Sequence, residues 1–177
     1  MRRFATCSTL AAAAAFIVSM LIAGRAGCAG FSAAQLKALD EASTVYVSTV
    51  RKDGNQSKSA PVWFTMNADR SELLIQTRKG SWKDRRIRRG SPVIVWIGGL
   101  NGPAFMGKAA ITTETAVFDK ILADFHKRYT MSALVGPSRA TFESGERVAI
   151  RITPVRDLPA GFAPAPGTPA PALEASK

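Results

Sequence analysis

The chain has 177 residues, of which 46 % are hydrophobic, and its 24 lysine and arginine residues exceed its 13 acidic residues to give a net charge of +11. This length allows one domain with appendages and excludes two full-sized domains. The excess of cations predicts attraction to anions such as phosphorylated cofactors, nucleic acid or a membrane surface, and charge alone does not choose among them.

Residues 1–29 have the pattern of an export signal or N-terminal anchor. Arg2 and Arg3 precede an apolar stretch over residues 10–24, and small residues follow it. This apolar stretch is shorter than the roughly 20 residues that span a bilayer, so a permanent membrane anchor is the weaker alternative. We therefore expect an exported, periplasmic or extracytoplasmic protein.

The next segment, residues 30–158, has the pattern of one mainly β domain. Ser32 and Gln35 form a capping-box pattern that predicts a first helix over residues 33–42. Asp53-Gly54 is a hairpin signal, and Gly107 predicts a bulge. Short apolar or alternating runs predict six strands, over residues 44–50, 59–66, 73–77, 93–97, 104–113 and 147–155.

The connections between these strands are too short for the crossovers that parallel pairs need. The sequence therefore predicts a six-stranded antiparallel Greek-key barrel with peripheral helices. One of these helices is predicted over residues 115–129 from its single apolar face. Residues 159–177 are rich in proline and alanine and predict a disordered tail.

The segment joining the third and fourth predicted strands is strongly basic. Ser81 is a good N-cap for a short helix over residues 82–89, which Gly90 would end. A helix start with free amide groups, a hydroxyl group and nearby cations favours anion binding. We therefore expect a phosphate group at this corner, with Lys83 as its first ligand.

This segment reads Gly80-Ser81-x-Lys83, then R-x-I-R-R-G-x-P, then a buried strand, and in this order it resembles the pyridoxamine-phosphate-oxidase-like flavoproteins. The resemblance covers roughly residues 42–154. It implies the split-barrel form of the fold and binding of FMN, or alternatively of the deazaflavin F420. It also implies a homodimer whose pocket lies between two barrels, which would give a use to the apolar strand faces.

The resemblance further implies where the cofactor would lie. The flat ring would lie along the second strand, and the phosphate would lie near the end of the third strand and the start of the helix. The implied cofactor-binding residues are Val62, Trp63, Phe64, Thr65, Thr77, Arg78, Lys79, Ser81 and Lys83. Trp96 is interpreted as a core residue. The substrate is not indicated, because the region after Met131 matches no family motif.

The implied activity is that of a flavin-dependent oxidoreductase, in which ring N5 accepts or donates the hydride and no catalytic side chain is required. His126 is the one histidine, and both cysteines lie in or beside the leader, so no zinc site of usual composition is predicted. A non-catalytic protein that binds flavin or haem is the alternative, with His126 as an axial haem ligand. A nucleic-acid binder is a third hypothesis, disfavoured by the export signal.

Overall fold

The computed structural model describes residues 30–131 and 136–173, and the predicted leader lies outside this range. The described residues form four helices and seven strands. The helices are α1 (Ala33–Glu41), α2 (Trp82–Arg88), α3 (Thr115–Arg128) and α4 (Arg139–Glu143). The strands are β1 (Val45–Thr49), β2 (Ala60–Val62), β3 (Phe64–Met66), β4 (Leu73–Arg78), β5 (Val93–Ile97), β6 (Ala104–Thr112) and β7 (Arg147–Asp157).

The strands form one antiparallel sheet in the order β2-β1-β5-β6-β7-β4-β3. Its two outermost strands, β2 and β3, are consecutive in the chain with only Trp63 between them. The sheet therefore curls until its edges meet at this residue, which gives a nearly closed barrel. The predicted mainly β antiparallel split barrel is confirmed.

The count of six strands was wrong by one. The predicted second strand divides at Trp63, because Val62 pairs with Val45 of β1 while Phe64 pairs with Ile75 of β4. One continuous apolar run thus serves both edges of the sheet, and alternation along the sequence cannot reveal the change of partner.

Three local predictions are confirmed. Ser32 and Gln35 form the capping box of α1. Gly54 has a φ of 78° in the turn after β1, a conformation that glycine adopts without strain. At Gly107 the β6–β7 register shifts, and a Cβ atom there would lie 2.9 Å from the Thr153 carbonyl oxygen. The bulge in β6 was therefore visible in the sequence.

The barrel interior is filled by branched and aromatic side chains, among them Phe64, Ile75, Val95 and Phe105. On the outside, α3 and α4 pack on the face that carries Leu74. A second copy is therefore not required to cover these outer strand faces, since the chain's own helices and tail pack on them. Among the described residues, the large hydrophobic side chains that remain exposed are Trp82, Leu100 and Met131.

The prediction of a disordered tail is corrected for residues 159–173, while residues 174–177 lie outside the described range. The tail crosses the outer face of β1, β5 and β6. Phe162 stacks on Trp96 at 6.1 Å between ring centroids, and its carbonyl oxygen accepts a hydrogen bond of 2.7 Å from the Trp96 Nε1–H group. Gln56 and Thr168 connect the tail to the turn after β1. The tail is ordered because it covers apolar residues and supplies an acceptor to a buried indole.

Within the described ranges, no helix combines the length and the apolar character needed to cross a bilayer. The short helix α4 lies in the region after Met131, where the sequence predicted no helix or strand. Its N-cap, Ser138, accepts a hydrogen bond from the Thr141 amide group, and the Thr141 hydroxyl group accepts one from the Ser138 amide group. This capping box uses threonine where the usual pattern has glutamate or glutamine.

Candidate functional site

The closure of the barrel leaves a cleft beside the residue that joins its two edges. This Trp63 cleft has a volume of about 390 Å³. Its walls come from β2, from the residue before β1, from β4 and from Trp63 itself, and they are formed by Thr44, Pro61, Val62, Trp63 and Gln76. The cleft brings together two of the predicted ring-binding residues, Val62 and Trp63, at a place created only by the folded chain.

Trp63 is held firmly against α3. Its indole ring stacks on Tyr129 with 4.7 Å between centroids and an interplanar angle of 9°, and it meets the Phe125 ring edge to face at 5.9 Å. Such aromatic pairs contribute about 0.5–1.5 kcal/mol each beyond the burial of their area. The aromatic wall of the cleft is therefore fixed before any ligand arrives.

Phe64 and Thr65 do not line this cleft. The Phe64 ring is fully buried in the barrel core, and its backbone N–H and C=O groups both bond to the Tyr129 hydroxyl group at 3.1 Å. The Thr65 hydroxyl group donates to the Asp124 carboxylate. The Phe64 ring and the Thr65 hydroxyl group are therefore occupied by contacts within the protein. Burial also raises the pKa of the Tyr129 hydroxyl group.

The end of β4 distributes the next predicted residues over two faces. Because side chains alternate along a strand, Gln76 and Arg78 share the outer face with Leu74, whereas Thr77 lies on the face of Ile75. Arg78 and Lys79 are both exposed, and the Lys79 ammonium group lies near Gly145. Arg78 therefore lies on the cleft side of the sheet, and Thr77 does not.

Thr77 belongs instead to the corner at the start of α2. Its hydroxyl group lies 3.2 Å from the Ser81 hydroxyl group, which accepts a hydrogen bond from the Asp84 amide group. The buried Asp84 carboxylate accepts from the Gly80 amide group at 2.9 Å and from Arg88 Nε at 2.8 Å. The predicted N-cap is confirmed, but two of the amide groups expected to hold a phosphate already bond to the chain itself.

Lys83 is the cation of this corner whose pKa burial changes most. Its side chain is largely shielded from solvent, and none of the ion pairs in residues 30–131 and 136–173 includes it. Burial lowers the pKa of Lys83 from 10.5 to about 8. An ammonium group in this situation gains from an anionic partner. The role of Lys83 as the first phosphate ligand stays a prediction.

Sequence reasoning missed Thr44, Gln76 and Arg147. Arg147 faces Arg78 across the β4–β7 pair, and its Nη1 atom donates to Gln76 Oε1 at 2.6 Å. It thereby adds a second cation next to the cleft. The sequence contained no signal for this pairing, since residues 76 and 147 meet only through the order of strands in the sheet.

His126, the proposed haem ligand of the alternative hypothesis, lies exposed near the end of α3. Trp96 is fully buried under the tail, which confirms its interpretation as a core residue.

An antiparallel split barrel with a cleft at the residue that joins its two edges is typical of one class of protein fold, the split-barrel proteins. The family model described as pyridoxamine 5'-phosphate oxidase matches residues 31–156, and the chain belongs to this family. A search of curated proteins found no match.

Solved structures show the same fold. A conserved hypothetical protein from Mycobacterium tuberculosis is similar with a TM-score of 0.54 and 21 % identity over 72 % of this chain and 82 % of that one. The FAD and heme binding protein from Mycobacterium smegmatis is similar with a TM-score of 0.51 and 20 % identity, over 69 % of this chain and 66 % of that one. The heme storage protein HutZ from Vibrio cholerae is similar with a TM-score of 0.51 and 11 % identity, over 68 % of this chain and 87 % of that one.

Proposed function

We propose that the protein binds a phosphorylated flavin, FMN or alternatively F420, in the Trp63 cleft and acts as an oxidoreductase on a small substrate. The observation that carries the proposal is the cleft itself, which has a rigid aromatic wall at the junction of the two barrel edges. When bound, the flavin would supply hydride transfer at N5. The protein would supply binding, orientation and charge.

The residues of the cleft have the chemistry that this role needs. Val62 and Trp63 offer apolar and aromatic surface to a flat ring, and Gln76 offers an amide to its polar edge. Arg78 and Arg147 provide cations on the same face of the sheet. Phe64 would not contact the ring as Val62 and Trp63 would. Its buried side chain would instead hold β3, and with it the neighbouring Trp63, in position.

The phosphate group would be held at the cationic corner. Lys83 is our first ligand, because its ammonium group is shielded from water and forms no ion pair with any described residue. Ser81 and Thr77 would add hydroxyl groups, with Lys79 at the edge of the corner. A bound phosphate would favour the charged form of Lys83 and would raise its pKa again.

A non-catalytic protein that stores or senses flavin or haem is the second candidate. Two proteins of similar fold are named for heme binding, one of them together with FAD, and this favours the alternative. His126 on α3 would be the residue to test as an axial ligand.

Purified full-length protein, incubated with FMN, F420 or haem and then desalted, tests these functions. We expect a retained flavin spectrum, and mass spectrometry of the released cofactor identifies which flavin is bound. Trp63→Ala should weaken retention by roughly tenfold through loss of ring contact, and the matched control Trp82→Ala should not.

Retention of haem with a Soret band would favour the second candidate, and so would retained flavin that no electron donor reduces. Equal retention by Trp63→Ala and the parent protein would contradict the proposed site.

Homodimer formation and export complete the proposal. The dimer is expected because a second barrel would close the open side of the Trp63 cleft. Export rests on the charge and hydropathy pattern of residues 1–29, with attachment to the membrane through an uncleaved leader as the alternative. Extraction of a secreted and a membrane fraction, followed by mass analysis of the N-terminus, distinguishes the two.

A further inference from the structure

A second depression, the Trp82 groove, lies between the turn after β1 and the exposed side of α2. Its volume is about 580 Å³, and Trp82 and Asp53 form part of its lining. The other lining residues are cations, namely Arg51, Lys52, Arg85, Arg86 and Arg89. It shares no lining residue with the Trp63 cleft, so it is a separate site.

The cations of this groove outnumber its one lining carboxylate, Asp53. Among the described residues, the ion pairs include none of its five cations. Arg86 and Arg89 are instead held by neutral acceptors, the Thr49 hydroxyl group at 2.9 Å and the Val50 carbonyl group at 3.4 Å. Burial, followed by the charges of Arg51 and Arg89, lowers the pKa of Arg86, and the opposing charge of Asp53 offsets this only in part. A multiply charged anion would relieve this repulsion.

The groove also offers an aromatic surface. The Trp82 side chain is 69 % exposed, which is unusual for a tryptophan. The Arg85 and Arg86 guanidinium groups lie 5.3 and 5.5 Å from its ring centroid. The indole is therefore positioned among the cations, with surface left for a planar ligand to stack.

We infer that the Trp82 groove binds a nucleotide, with its phosphate groups among the arginines and its base on Trp82. The groove has the volume of a site for one small ligand. A nucleic-acid strand would need successive stacking platforms along a track. The other exposed large apolar side chains of the described residues, Leu100 and Met131, are not aromatic and do not line the groove.

Titration calorimetry of the full-length protein at low ionic strength tests this inference, with ADP, pyrophosphate and adenosine as probes. ADP should bind most tightly, because it alone carries both a base and phosphate groups. Trp82→Ala should weaken ADP binding roughly tenfold, while pyrophosphate affinity should change by less than about twofold. The double variant Arg51→Gln/Arg85→Gln should weaken both phosphate-bearing probes by at least about tenfold.

The matched control is Lys37→Gln/Lys127→Gln, which removes two exposed charges from α1 and α3. It should leave ADP affinity within about twofold of the parent protein. Lys83→Met should leave ADP binding unchanged, and Trp82→Ala should leave flavin retention unchanged, so the two sites fail or succeed independently.

The inference is overturned if ADP does not bind, or if both double variants lose equal affinity, which would mean attraction by net charge alone. Pyrophosphate binding as tight as ADP, with no effect of Trp82→Ala, would also overturn it. So would an affinity that rises steadily with the length of single-stranded DNA, because that would identify an extended nucleic-acid surface.

Discussion

Lys83 shows how a single side chain can reduce stability and serve binding at the same time. Its ammonium group has lost water and pairs with no carboxylate of the part of the chain that the structure describes, so its charged form is costly in the folded, cofactor-free protein. The unfolded chain, in which the pKa returns to 10.5, binds this proton more strongly. Between pH 8 and 10.5 the unfolded state therefore holds more protons, and stability rises with pH across this window.

Lys83→Met should stabilise the cofactor-free protein near pH 7 by about 1–3 kcal/mol, because it removes this desolvation cost. The gain should disappear above pH 10.5, where the lysine is neutral in both states. Urea unfolding near pH 7 and above pH 10.5 measures this gain in stability, with Lys37→Met as the exposed control. The same variant should retain flavin less well. Unchanged stability near pH 7 would show that the ammonium group is solvated.

Tyr129 is the second residue on which the site depends. Its hydroxyl group bonds to both backbone groups of Phe64, and its ring supports Trp63. Tyr129→Phe should keep the stacking and lose the two hydrogen bonds, which should lower stability by about 1–3 kcal/mol. Tyr46→Phe is the control, since the Tyr46 hydroxyl group makes no hydrogen bond within the described residues, and it should change stability by less than about 0.5 kcal/mol. Equal unfolding midpoints for the two variants would contradict this role.

At the scale of elements, the proline-rich tail acts as a cover for one face of the barrel. Phe162 and Leu158 lie with Trp96 and Met106 in one apolar cluster outside the β1–β5–β6 face. A chain without regular secondary structure can be ordered in this way when its side chains fill an apolar surface and its carbonyl groups meet buried donors.

Phe162→Ala should destabilise the protein by about 1–3 kcal/mol, because it removes the ring that covers Trp96. Tryptophan fluorescence of the native state should shift to the red as water reaches the Trp96 indole. Pro166→Ala, an exposed change within the same segment, is the control and should leave both measurements unchanged. A neutral Phe162→Ala with unshifted emission would mean that the tail does not cover this face in solution.

The whole molecule is a barrel whose outer faces are covered by α3, α4 and the tail, and whose closing edge carries the Trp63 cleft. A second copy is therefore expected on the side of this cleft and not on the covered faces. Since a cofactor held between two copies binds the dimer and not the monomer, its addition should favour dimers by mass action.

Light scattering after size exclusion should show dimers whose fraction increases when flavin is added to dilute protein. The Lys83→Met variant should show a smaller increase, because it holds the phosphate less well. Full flavin retention by a protein that stays monomeric at every concentration would contradict a shared pocket.

The amino-acid sequence by itself determined the local features: the capped starts of α1 and α2, the turn at Gly54, the bulge at Gly107 and the antiparallel strand class. Each depends on backbone conformation or on the period of a short segment, which neighbouring residues specify. The split-barrel family could also be inferred, because the residues after Gly80 keep a distinctive order.

Only the tertiary structure decided which of the candidate residues share a face. Trp63 became a cleft wall because the strand around it changes partner there, and Arg147 joined Arg78 through the order of strands in the sheet. The tail became ordered because Trp96 and its neighbours, distant in the sequence, presented it with an apolar surface and a buried donor. These outcomes depend on contacts between segments far apart in the chain, and no local pattern encodes such contacts.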